Sequence, residues 1–154
     1  MRTDNNESSY QDRQSNINKG ELIFEKYMAN NGYSYKKLGF DEKTNNIEGY
    51  WNVHPILRNL PDYTWYDKKN KRIFYFQVKG TYSVKIDDLI NWNIFESLFC
   101  NAKAELRIAF CFEKGIQFYS LQEVKKEITN LTIKEWHDGK QYVTIPGLKE
   151  YREV

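Results

Sequence analysis

Apolar and polar positions change period several times along this chain, and each change marks an element. Gly20, Ile23, Phe24, Tyr27 and Met28 fall on one helical face, and Asn31-Gly32 is a stop signal. Glu21 and Glu25 stand four apart on a neighbouring face. Tyr33 to Val53 keeps no single period; it predicts one or two strands with a turn at Asn45-Asn46. The strongest strand signal follows. Tyr63 to Tyr66 and Arg72 to Val78 are aromatic and β-branched, and the polar run Asp67-Lys-Lys-Asn-Lys71 between them predicts a hairpin. Ser83 to Phe99 reads as a helix, with Ile86, Leu89, Ile90, Ile94, Phe95, Leu98 and Phe99 at three- and four-residue steps. Leu106 to Phe112 and Ile116 to Leu121 predict a second hairpin around Glu113-Lys-Gly115. A short helix over 122–130 and a small hairpin turning at Asp138-Gly139 complete the pattern. Helices and strands in this order predict an α/β or α+β domain on one mixed sheet.

The first 18 residues differ from the rest. Between Asp4 and Asn18 only Tyr10 and Ile17 are sizeable apolar groups, so residues 1–18 are expected to form a disordered arm. Residues 19–154 are expected to form a single domain, which suits a chain of 154 residues. Lys and Arg number 23 against 21 Asp and Glu, a net charge of +2. That balance excludes a strongly basic nucleic-acid coat but leaves room for a local patch. Aromatic residues reach 16%, with 12 Tyr and 4 Trp. Cys100 and Cys111 cannot make a disulfide framework and lack paired zinc-ligand spacing; they read as partly buried thiols in a reducing cytoplasm. No apolar run reaches membrane-spanning length, so a cytoplasmic protein with no membrane partner is expected.

Candidate chemistry arises from folding the central hairpin. A turn centred on Lys69-Asn70 sets Asp67 opposite Arg72 and Asp62 opposite Gln77. Gln77 and Lys79 then share one side with Asp62, while Phe74, Phe76 and Val78 face the other, towards apolar packing. A slip of one residue would turn that apolar set outward, so the pattern defends the register. A carboxylate, an amide and an ammonium therefore converge at one end of the hairpin. Such a group suits metal-assisted phosphodiester cleavage. Mg²⁺ prefers hard oxygen ligands, which Asp62, the Gln77 amide and the Val78 carbonyl supply. Lys79 can orient water or stabilise charge developing at phosphorus.

Pro61-Asp62 followed fifteen residues later by Gln77-Val78-Lys79 resembles the PD-(D/E)xK nuclease superfamily. Gly20-Glu21-x-x-Phe24 with Asn31-Gly32-Tyr33 is similar to the first helix of Holliday-junction resolvases and Mrr-type restriction endonucleases. The resemblance covers about residues 19 to 121. It implies a restriction-endonuclease-like αβββαβ core, with a mixed sheet flanked by helices. It also implies dependence on Mg²⁺ or Mn²⁺ and a nucleic-acid partner, expected to be DNA. It assigns Asp62 as the metal carboxylate, Lys79 as the catalytic lysine, and Glu21 as the helix glutamate, with Glu25 as the fallback. Gln77 replaces the second acidic residue; most members carry Asp or Glu there, and Mrr-type enzymes carry Gln. The amide removes one negative charge from beside the cation, so a nuclease-fold module without full activity, binding nucleic acid or a protein, is the alternative. An unrelated α+β interaction domain is the third reading.

The remaining candidates are simpler. Lys68 and Lys69 form a basic turn, and Tyr82 and Lys85 follow the motif, so these four are assigned low-weight contacts to nucleic acid. Trp92 reads as core rather than as a base-stacking residue. His54, before Pro55, reads as structural rather than as a proton carrier, and His137 is given no role. A chain of this size covers few base pairs alone, so a homodimer is a natural way to address two strands.

Overall fold

A computed structural model describes residues 19–38, 54–129 and 131–146. The expected arm and the Asn45-Asn46 turn lie outside the described residues. A first helix, α1, covers residues 19–30 and buries Phe24 and Met28. It ends as its sequence predicts. Gly32 takes φ 70°, its N–H reaches the Ala29 carbonyl, and the Tyr33 N–H reaches the Met28 carbonyl. This paired closure needs a left-handed residue, which glycine adopts without penalty.

The main sheet contains β1 (Tyr35–Lys37), β2 (Tyr63–Asp67), β3 (Arg72–Lys79), β5 (Ala104–Phe112) and β6 (Gly115–Ser120), in the order β1-β2-β3-β5-β6. Its one parallel pair is β3 with β5; the other pairs are antiparallel. A short helix α2 (Pro55–Arg58) precedes β2, and α3 (Ile86–Phe99) carries the chain from the β3 side to β5. The helix α4 (Leu121–Ile128) follows β6 directly. Its start is fixed by a capping box, in which the Ser120 hydroxyl accepts from the Glu123 N–H and the Glu123 carboxylate accepts from the Ser120 N–H.

One expectation is corrected by a second sheet. Residues 83–85 read as the start of the long helix; instead β4 (Ser83–Lys85) is a strand that pairs with β8 (Gln141–Thr144), which pairs with β7 (Lys134–Glu135). The tail hairpin forms around Asp138-Gly139 as predicted, but it does not extend the main sheet. Its apolar side explains why. Val84 lies opposite Val143, and both are buried with Leu89, Trp92 and Phe95 of α3. The protein is thus α+β, with a mixed five-stranded sheet against helices and a small antiparallel sheet.

The alternation along β3 sorts two apolar layers. Phe74, Phe76 and Val78 join Phe24, Met28, Tyr63 and Phe118 on the α1 side. Leu106, Ile108 and Phe110 of β5 join α3, α4 and the small sheet on the other. The Phe24 ring sits 4.7 Å from Tyr63 and 5.0 Å from Phe76, which fastens α1 to the β2–β3 hairpin.

At its N-terminal end α1 comes closer still. A Cβ on Gly20 would stand 3.1 Å from the Gly80 Cα and 3.2 Å from the Gly80 nitrogen. Both obstacles are backbone, so they cannot turn aside. Gly20→Val is therefore expected to destabilise the fold by about 2 kcal/mol through overpacking, read as a lower urea midpoint with an unchanged slope. The same close approach brings Glu21, the next residue, to the end of β3.

Candidate active site

The register predicted for the hairpin is the one observed. Asp67 lies opposite Arg72 and Tyr63 opposite Phe76, and the Asp62 N–H donates to the Phe76 carbonyl at 2.9 Å. The turn itself is longer than a two-residue turn at Lys69-Asn70. It runs over residues 68–71, and Lys71 takes φ 54°. Asp67 organises it by accepting from the Lys69 and Asn70 N–H groups and from the Asn70 side-chain amide. The Asn70 amide and these backbone donors hold the Asp67 carboxyl below its usual range.

Asp62 stands just before β2, pinned by its own backbone at both ends: its carbonyl accepts from the Leu38 N–H at 2.8 Å. Its side chain turns towards β3. Asp62 Oδ2 accepts from Gln77 Nε2 at 2.8 Å and from the Val78 N–H at 2.8 Å. The predicted acid and amide therefore touch directly. Burial pushes the Asp62 carboxyl from 3.8 up to about 7, against the pull of the Val78 N–H; the charge of Glu21 adds to the rise, and those of Lys79 and Lys37 oppose it. A carboxylate here is poorly solvated and sits in the field of a second carboxylate, a setting that favours a nearby cation.

Lys79, two residues past Gln77 on the same strand face, has a side chain only 12% exposed. Its Nζ lies 3.9 Å from Asp88 Oδ2 in the first turn of α3. Glu21 Oε2 lies 3.5 Å from Lys37 Nζ of β1. Glu25 is differently engaged: its Oε1 accepts the Tyr63 hydroxyl at 2.9 Å. Burial, with Glu21 and then Glu25 adding, pushes that hydroxyl far up, so it stays protonated. Of the two helix glutamates, Glu21 acts electrostatically on Asp62 and Glu25 serves the α1–β2 contact.

The low-weight candidates spread elsewhere. Lys68 and Lys69 sit exposed on the hairpin turn, at the end of β3 opposite Lys79. Tyr82 packs between the rings of Phe110 and Phe112, and its hydroxyl donates to Gln117 Oε1 at 2.6 Å within the protein. Lys85, on β4, places its Nζ 6.0 Å from the Trp136 ring centre. Trp92 is buried in the core, as read. His54 caps α2 by accepting the Ile56 N–H through Nδ1, a structural duty. Both thiols are free. Burial raises Cys100 to about 11 and pushes buried Cys111 higher, so neither is a ready nucleophile.

Lys37 and Asp88, which partner Glu21 and Lys79, were missed by sequence reasoning. Asp88 left a faint signal, as a carboxylate in the first turn of the helix after the motif. Lys37 left none. A cavity of about 400 Å³ opens beside this end of β3, lined by Lys19, Leu22, Ile23, Gly80, Cys111, Phe112 and Glu113. Among the described residues, no three His, Cys, Asp or Glu side chains group so as to hold a metal ion. Any cation here would have to use the Gln77 amide oxygen and backbone oxygen besides carboxylates. No helix among the described residues is long and apolar enough to cross a membrane. No protein-family model and no curated protein matches the chain.

Proposed function

We propose that this protein is a divalent-cation-dependent nuclease that hydrolyses DNA phosphodiester bonds. The observation that carries the reading is the contact of Asp62 with Gln77 and Val78, with Lys79 following on the same strand. The element order α1, β1, α2, β2, β3, β4, α3, β5 supports it, since without the four-residue α2 and the three-residue β4, which belongs to the small sheet, it follows the αβββαβ plan that the motif's resemblance implies. Asp62, Gln77, the Val78 carbonyl and Glu21 are the residues that would hold Mg²⁺ or Mn²⁺. As an all-oxygen donor set they suit a hard cation, provided that the Gln77 amide presents its oxygen where its nitrogen now faces Asp62. The ion, when bound, would supply positive charge to the scissile phosphate.

The chain's own groups do the rest. In hydrolysis a water oxygen bonds to phosphorus while the bond to one ester oxygen breaks, and the departing oxygen takes a proton. Negative charge grows on the phosphoryl oxygens. The Lys79 ammonium, largely shielded from solvent, answers that charge more strongly than a solvated lysine would. Asp88 holds the ammonium in place.

One observation favours a second reading, in which the domain binds nucleic acid without cutting it. Gln77 gives Asp62 an N–H donor, so the carboxylate is already partly satisfied without a cation. The two readings separate cleanly. A nuclease cleaves duplex or branched DNA in Mn²⁺ or Mg²⁺, stops in chelator, and binds Mn²⁺ by calorimetry with a heat lost in Asp62→Ala. A binding-only domain retards DNA without metal, with a salt dependence set by phosphate contacts, and cleaves nothing under any of these conditions.

A further inference from the structure

The helix α3 carries apolar residues both towards the core and away from it, interspersed with polar ones such as Asp87, Asp88, Asn93 and Ser97. Leu89, Trp92 and Phe95 face the core. On the opposite side Ile90 is 53% exposed, Ile94 44% and Leu98 62%, whereas Phe99 stands on the Phe95 side, with the two rings 5.0 Å apart. Positions 90, 94 and 98 advance by four and so form one stripe along the helix. Among the described residues, this single helix holds four of the nine large exposed hydrophobics. A clustered apolar stripe on the outer side of a helix, unlike singly scattered exposed residues, is the kind of surface that a partner covers.

We infer that the outer face of α3 is the interface of a symmetric homodimer, in which α3 packs antiparallel against α3 of a second copy. Area supports a second copy as the occupant. Three aliphatic side chains at about half exposure, each somewhat smaller than the ~150 Å² of a small aromatic one, offer roughly 200 Å² per chain. Doubled by symmetry, that is roughly 400 Å² of apolar contact, a centre around which the remaining, polar part of an interface of about 1,600 Å² can be built.

Charge supports the antiparallel arrangement. Asp87 is the one charged residue on the exposed face of α3, at its first turn, and exposed Lys103 lies in the turn just past its last. An antiparallel pair centred on Ile94 sets Ile90 against the second copy's Leu98. It also brings each Asp87 towards the other copy's Lys103. A twofold axis satisfies both contacts twice from one surface. This inference does not rest on the nuclease reading and would stand if the site proved inactive.

Light scattering on the full chain during size-exclusion chromatography tests it. Wild type is expected to elute with twice the 18.5 kDa chain mass. Ile94→Glu places a carboxylate at the twofold axis and is expected to raise the dimer dissociation constant on the order of 100-fold, with an unchanged far-ultraviolet spectrum. Asp87→Lys alone and Lys103→Asp alone are each expected to weaken the dimer; together they restore it. Should Ile94→Glu fail to fold, the charge-exchange pair decides. A wild type monomeric across the accessible concentration range overturns the inference, as does a dimer indifferent to Ile94→Glu or a charge exchange that does not restore association.

Discussion

Lys79→Ala is expected to lower single-turnover DNA cleavage by about 100- to 1,000-fold, the usual cost of removing one donor aimed at charge that develops in a transition state. DNA retardation in the absence of cleavage is expected to change little, because one lysine among the 23 Lys and Arg contributes little to general attraction. The size of the effect follows from the surroundings. The ammonium is only 12% exposed and stands on the strand that also carries Gln77 and Val78. Water cannot readily replace it there. Asp88→Asn, which leaves the ammonium in place but removes its 3.9 Å partner, should cost much less. That gradation separates a group acting on the phosphate from one that merely helps the fold. Cleavage by Lys79→Ala at the wild-type rate would remove this end of β3 from the chemistry.

The second large effect is a dependence of stability on pH. The Asp62 carboxyl has an ordinary value of 3.8 and stands at about 7 in the folded protein, chiefly through burial. Between those values the folded state holds a proton that the unfolded state has released. Stability from this group is thus fully present below pH 3.8 and is lost as pH rises through about 7. The interval corresponds to about 4 kcal/mol at most. Because Asp62 keeps some solvent contact, about 2 kcal/mol is the expected size. Asp62→Asn keeps an oxygen for the Val78 N–H and carries no charge. The variant should match wild type near pH 3, below the ordinary carboxylate value, and exceed it by about 2 kcal/mol at pH 8, with part of that gap already open at pH 5. Urea unfolding of both proteins at each pH reads the difference, which cancels the other titrating groups. An Asp62→Asn protein less stable than wild type at pH 8 would show that the charged carboxylate is well satisfied as it stands.

What the sequence made legible was whatever short-range pattern enforces. Alternation at Phe74, Phe76 and Val78 fixed the hairpin register, and with it the meeting of Asp62 and Gln77. Asn31-Gly32 marked the end of α1 because a left-handed residue is needed there. β4 was hidden for the converse reason. Three residues running straight into an apolar helix carry no period of their own, and the partner of Val84 is Val143, far along the chain. The resemblance already preferred Glu21 to Glu25; what the sequence did not show is the Tyr63 hydroxyl that engages Glu25. The outward half of α3 was equally hard to separate from the inward half. With apolar residues on both sides, spacing alone does not say which of Ile90 and Leu89 meets the core.

The hairpin has one last consequence, for the order of assembly. Asp62 and Gln77 stand on two arms closed by four residues, whereas β3 cannot find β5 until the whole α3 crossover has been made. Closing a short loop takes microseconds or less and costs little chain entropy, while the distant parallel pairing is slow and forms only after that cost has been met. Acid and amide are therefore expected to meet early in folding, before the β3–β5 pairing makes the hairpin's closure lasting. The lysine's escort Asp88 and the rest of the sheet join afterwards.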